Sequence, residues 1–110
     1  MPKPSTMDPE RQLMVKAKVV QRLVKESSYY KKETDENTAK LEQMKADGKD
    51  EYDIKKFAEV LEESVMMIPD SENRRNAAIE DLRQFVEGND LIQDSEWMVI
   101  ANALLEEQSS

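Results

Sequence analysis

Residues 53–86 read DIKKFAEVLEESVMMIPDSENRRNAAIEDLRQFV, and the phase of their apolar side chains decides the fold. Ile54, Ala58, Leu61, Val65, Ile68, Glu72, Arg75, Ile79, Leu82 and Val86 are separated by steps that alternate four and three. That spacing returns to one side of an α-helix and is the pattern of a left-handed helical seam. Pro69 stands in the middle of it. Inside a helix, proline removes one hydrogen bond, and its ring presses on the carbonyl four residues earlier, here Val65. A loop at Pro69 would have no reason to keep the phase, yet the alternation crosses it unchanged. One long helix over about residues 53–87, kinked at Pro69, is expected.

The flanking sequence supplies partners for that helix. Asp8-Pro9 suits an N-cap followed by the first helical position, and no Gly or Pro interrupts the chain from there to Ala46. Leu13, Ala17, Val20, Val24, Ser27, Tyr30, Thr34, Thr38, Leu41 and Met44 recur at threes and fours. The middle of this stripe is polar, so weak packing is expected there. A third helix is expected over about residues 91–107, with Leu91, Met98, Ala101 and Leu105 on one side and Trp97, Ile100 and Leu104 beside them. Residues 1–7 read as a disordered tail, and residues 108–110 should fray. Gly48 and Gly88, the only two glycines, mark short connections, which make neighbouring helices antiparallel. The expected fold is all-α: an elongated antiparallel three-helix bundle, packed like a left-handed coiled coil, in one domain over residues 1–110.

Composition agrees with long helices and excludes much chemistry. Leu, Ile, Val and Phe make up only 23 of 110 residues. A compact mixed domain would be short of core material, whereas a narrow helical seam needs less. Without cysteine or histidine there is no disulfide, no thiol nucleophile, no Ser–His triad and no His-ligated metal. No apolar run is long enough to span a bilayer. The start of the chain lacks the apolar stretch of a signal peptide, so a cytoplasmic protein is expected. The net charge of −8 argues against nucleic acid as the main partner. Residues 1–46 carry a net +3 and residues 47–110 a net −11. This is either complementarity inside the bundle or a basic face formed by Lys16, Lys18, Arg22 and Lys25 that meets an acidic partner.

The segment Tyr52-Asp53-Ile54-Lys55-Lys56, followed by Glu63-Ser64-Val65-Met66-Met67-Ile68-Pro69-Asp70, resembles the tubulin-binding cofactor A family. Val19-Val20, Arg22-Leu23-Val24-Lys25-Glu26, Tyr30, Lys32-Glu33, Arg74-Arg75 and Asp81-Leu82 continue the likeness. It covers most of residues 13–87 and weakens from Asn89 onward. The resemblance implies three long antiparallel helices and a chaperone that captures β-tubulin after it leaves the cytosolic chaperonin. It also implies that β-tubulin is held as a quasi-native monomer until other tubulin-folding cofactors pair it with α-tubulin. A cytoskeleton-associated protein with no bound cofactor, nucleotide or metal follows from it.

Helix arithmetic suggests where a partner would bind. A third helix of about 17 residues covers roughly 26 Å, enough to flank the second helix only from about Val86 back to Asp70. The stretch from Asp53 to Ile68 and its mate from Tyr30 to Ala46 are then a two-helix pair. Phe57, Val60, Met66 and Met67 lie off the stripe or beside it there, so some apolar surface should be exposed next to flexible methionines. The methionines could instead fill space at the kink. Glu59, Glu62 and Glu63 form either a solvated face or a contact for basic partner residues. Tyr30 and Tyr52 read as packing residues with wet hydroxyls, and Glu72 and Arg75 as a pairing device that sets register. The expected partner contacts are Phe57, Val60, Glu59, Glu62, Glu63, Met66 and Met67, with Lys16, Arg22 and Lys25 on the first helix. The other reading is a self-associating coiled-coil adaptor without tubulin affinity, and the chain is expected as a monomer or weak homodimer. An enzyme is disfavoured, because a thin bundle offers little room for a perturbed carboxylate.

Overall fold

The computed structural model describes residues 8–89 and 94–108. The expected tail over residues 1–7, Leu91 and the last two serines lie outside the described residues. All regular structure among the described residues is helical: α1 spans Pro9–Ala46, α2 spans Glu51–Glu87 and α3 spans Glu96–Gln108. α2 runs unbroken with Pro69 inside it, as the unbroken phase of its stripe implies.

Local chemistry sets each helix end. Asp8 Oδ1 accepts from the Arg11 amide at 2.8 Å, and Pro9 occupies the first position, where a missing N–H costs nothing. α1 ends in a Schellman motif. Lys49 N donates to the Met44 carbonyl and Gly48 N to the Lys45 carbonyl, with Gly48 at φ 68°, the left-handed conformation the motif requires. α2 begins at Glu51 rather than near Asp53. Asp50 is the reason: its carboxylate accepts from Tyr52 N at 3.2 Å, and its carbonyl accepts from Ile54 N. At the other end of α2, Asn89 Nδ2 donates to the Phe85 carbonyl at 2.8 Å. α3 begins at Glu96, later than residue 91, because Ser95 Oγ accepts from the amides of Trp97 and Met98. Serine in that role fixes a helix start more firmly than the apolar residues before it.

The residues divide into two compact units. One comprises the described residues up to Val24 and from Arg74 onward; the other is Lys25–Asn73. In the first, α3 packs on the start of α1 and the end of α2. Leu13, Val20, Ile79, Leu82, Met98, Ala101 and Leu105 form its buried core, and Val24, Ala78, Phe85, Val86, Trp97 and Leu104 pack around it. α3 is shorter than expected at 13 residues, and its neighbours in this core reach back along α2 only to Ala78, not to Asp70. Lys16 of α1 meets Asp81 at 2.7 Å and lies 5.6 Å from the Phe85 ring centre. Lys18 lies over the Trp97 ring.

In the second unit, α1 and α2 are antiparallel. Lys31 meets Glu72 at 3.5 Å, Asn37 reaches Ser64 and Lys40 covers Phe57, so contacts climb one helix as they descend the other. The buried side chains here are largely polar. Ser27, Ser64 and Ser71 are buried and Leu41 is the buried large apolar residue. The stripe position expected for Val65 is a correction. Val65 is 47% exposed and Ser64 only 4%. At this level the inward position is Ser64, one residue earlier, while Leu61 and Ile68 on either side keep theirs; Ser64 there meets polar groups of α1. Asn37 Nδ2 donates to its hydroxyl at 3.0 Å, and the hydroxyl donates to Glu33 Oε1 at 3.1 Å or, alternatively, to the Val60 carbonyl at 3.3 Å. A valine there could not take part in those hydrogen bonds. The ion pairs Lys16–Asp81 and Lys31–Glu72 set basic α1 against acidic α2. Being solvent-accessible, each contributes about 0–1 kcal/mol.

Two stability predictions follow from these contacts. A Cβ at Gly48 would meet no atom within 4 Å, so Gly48→Ala should cost only the left-handed backbone penalty, about 1 kcal/mol, and Gly48→Asn less. Leu82→Ala, which empties a fully buried site, should cost about 3 kcal/mol. Urea unfolding followed by circular dichroism measures both.

Candidate partner-binding site

The second unit has two helices where the first has three, and one flank of its seam is open. Along α2, Asp53, Lys56, Phe57, Val60, Glu63, Ser64 and Met67 recur at threes and fours, so they share one side of the helix. Two shallow hollows lie on that side. Lys40 and Met44 of α1 with Asp53, Lys56, Phe57 and Val60 of α2 line one. Glu33 of α1 with Val60, Glu63, Ser64, Met66 and Met67 of α2 lines the other. Val60 belongs to both, so the two hollows adjoin along the pair and are taken together below as the groove.

The groove floor is apolar and its rim is charged. Val60, Met66 and Met67 are exposed, Met66 at 68%, and Phe57 is half-buried. Lys40 Nζ stands 4.8 Å from the Phe57 ring centre, a cation–π contact that keeps the ring covered on that side and leaves the ammonium at the surface. Glu33 accepts from Ser64. Its hydrogen bond to Tyr29, and then its charge, raise the Tyr29 phenol above its ordinary value. The Tyr29 and Tyr30 rings meet edge to face at 5.7 Å. Among the described residues, no helix is long and apolar enough to cross a membrane.

The expected contact residues separate into groups. Phe57, Val60, Glu63, Met66 and Met67 come together in the groove. Glu59 instead lines a separate hollow with Tyr52, Lys55 and Lys56, and Glu62 is exposed outside all three hollows. Arg22 and Lys25 are exposed on α1. Lys16 lies in the first unit, paired with Asp81 and 5.6 Å from the Phe85 ring centre, outside the groove. Sequence reasoning missed the α1 wall of the groove: Glu33, Lys40 and Met44. The signal was present, since Lys40 lies eight residues before Gly48 and Phe57 nine after it, which brings them close to the same level in an antiparallel pair.

The family model described as "Tubulin binding cofactor A" matches residues 8–105. That match extends into α3, past Asn89 where the visible motifs fade. A rat protein named tubulin-specific chaperone A is 48% identical over 86 residues, covering 78% of this chain and 80% of the relative. The chicken protein of that name is 44% identical over 96 residues, covering 87% and 89%. The solved structure of human tubulin chaperone cofactor A superposes with a TM-score of 0.80 at 40% identity, covering 94% of this chain and all of the human one. Matching in sequence from α1 into α3, and in fold with a solved member, this chain belongs to the tubulin binding cofactor A family, a family of chaperones and not of enzymes.

Proposed function

We propose that this protein is a stoichiometric folding cofactor that binds quasi-native β-tubulin monomers after chaperonin release and holds them for αβ-heterodimer assembly. The match over residues 8–105 to chaperones named for tubulin carries the reading. The open groove of the second unit supports it by supplying apolar surface without any enclosed pocket. The mechanism is differential affinity. Binding a folded but unpaired client surface draws the client away from aggregation by mass action. Release then comes from a competing partner, such as a further tubulin-folding cofactor, in the cytoplasm. Phe57, Val60, Met66 and Met67 make the apolar contact, with Glu63 beside them. Glu59, Glu62, Arg22 and Lys25 lie outside the groove and at most add local charge contacts.

A second reading rests on the same flank: two copies could pair through their open grooves as a structural module. Mass in solution separates the two. Gel filtration with light scattering of this protein mixed with freshly released β-tubulin, with α-tubulin as control, should give a defined one-to-one complex with β-tubulin alone. A stable dimer that captures neither tubulin would establish the structural module instead.

Two further outcomes are expected. Phe57→Glu and Met67→Glu should each weaken β-tubulin binding at least tenfold with helicity retained, and Val99→Glu, at an exposed site on α3, should change it less than twofold. Titrations at increasing salt should show only a shallow loss of affinity, because the chain is acidic overall and its charged rim is mixed. A steep loss would mean that long-range attraction dominates the contact.

A further inference from the structure

The first unit indicates what the second one lacks. There, the α1–α2 pair is covered by α3, a 13-residue helix that buries Met98, Ala101 and Leu105, positions three and four apart. In the second unit, the groove from Asp53 to Met67 is about 21 Å long at 1.5 Å per residue, close to the length of such a helix, and no segment of this chain among the described residues covers it. Its floor of Phe57, Val60 and Met67 offers apolar side chains at intervals of three and seven, which an amphipathic helix can match.

The rim also has a polarity. Glu33 and Glu63 stand at one end. Lys40 and Lys56 stand at the other, with Asp53 beside them, so that end keeps a net positive charge. The two ends are separated by seven residues on either helix, about 10 Å. A docked helix carries about half a positive charge at its N-terminus and half a negative charge at its C-terminus. Only one direction sets each helix end against the opposite rim charge.

We infer that the groove takes one amphipathic helix of the client, its N-terminus at Glu33 and Glu63 and its C-terminus at Lys40 and Lys56, so that the client completes a three-helix unit. The inserted helix runs in the same direction as α1 and against α2. This rests on the chaperone reading above and adds to it the element recognised and its direction. A second copy of this chain pairing about a two-fold axis would also set unlike rim charges together, and a crosslink between copies is the outcome that marks it.

Site-directed photo-crosslinking tests it. A benzophenone side chain is placed at position 57, at position 67 or, as control, at position 99, and each variant is mixed with β-tubulin. The expected result is that the crosslinks from 57 and 67 fall on one client helix, roughly ten residues apart, with the crosslink from 67 nearer that helix's N-terminus. Position 99 should give none. Crosslinks on a loop, on two separate elements, in reversed order or to a second copy of this chain would overturn the inference and leave the chaperone reading standing, provided a complex forms. Absence of any complex by light scattering would overturn both. As a second measure, Val60→Arg should weaken binding at least tenfold. The double exchange of Glu63→Lys with Lys56→Glu, which swaps the charges on the α2 side of the rim and so removes the negative end, should weaken it several-fold at low salt and less at high salt. Unchanged affinity in both would also overturn the inference.

Discussion

The second unit depends on the turn at Gly48. Its positive φ lets Lys49 and Gly48 donate back to carbonyls of the last turn of α1, and Asp50 caps α2 immediately afterwards. So short a connection leaves no slack, so the register of the two helices is fixed where they join. The rest follows by counting away from the turn. Lys40 meets Phe57, Asn37 and Glu33 meet Ser64, and Lys31 meets Glu72. A residue inserted near the turn would shift one helix against the other and separate all of these pairs together.

The sparse supply of apolar side chains is distributed unequally. The first unit has Leu13, Val20, Ile79, Leu82, Met98, Ala101 and Leu105 in one core, and a helix of its own to close it. The second holds its helices together through small polar side chains, and Thr34 Oγ1 is buried there without a hydrogen-bond partner. Serine at a seam lets two helices approach closely while contributing little hydrophobic free energy. The apolar residues of α2 that a larger core would absorb, Val60, Val65, Met66 and Met67, are left at the surface. A weak seam and an exposed flank are therefore two results of the same choice of residues.

Periodicity made most of this legible. The alternation across Pro69 shows a single α2, and the scarcity of large apolar residues together with the short third helix shows that part of the pair stays uncovered. Two things escaped. The heptad arithmetic placed Val65 inward, because it weighs apolar character and cannot see that Asn37 and Glu33 offer hydrogen bonds to a serine one position earlier. The starts of α2 and α3 were misplaced because apolar phase was given more weight than capping by Asp50 and Ser95. The basic residues of α1 show a different limit. Composition cannot tell a charge that faces a partner from one paired inside the fold, and the contacts of Lys16 with Asp81 and Phe85 are of a kind that only the structure shows.

For the holding role proposed above, the modest size of the apolar face is itself a constraint on mechanism. Fully burying a side chain such as Val60, Met66, Met67 or Phe57 contributes about 1.5–3 kcal/mol, and these are only partly available, Phe57 being half-covered already. Association costs about 4–15 kcal/mol in lost translational and rotational freedom. The two quantities are comparable, so a handful of groove anchors leaves a limited surplus and the remainder has to come from rim charges and hydrogen bonds. A partner offering a larger apolar interface to the same client surface would displace this protein without an energy source. A larger, fully apolar groove would hold the client more tightly, but it would need active release.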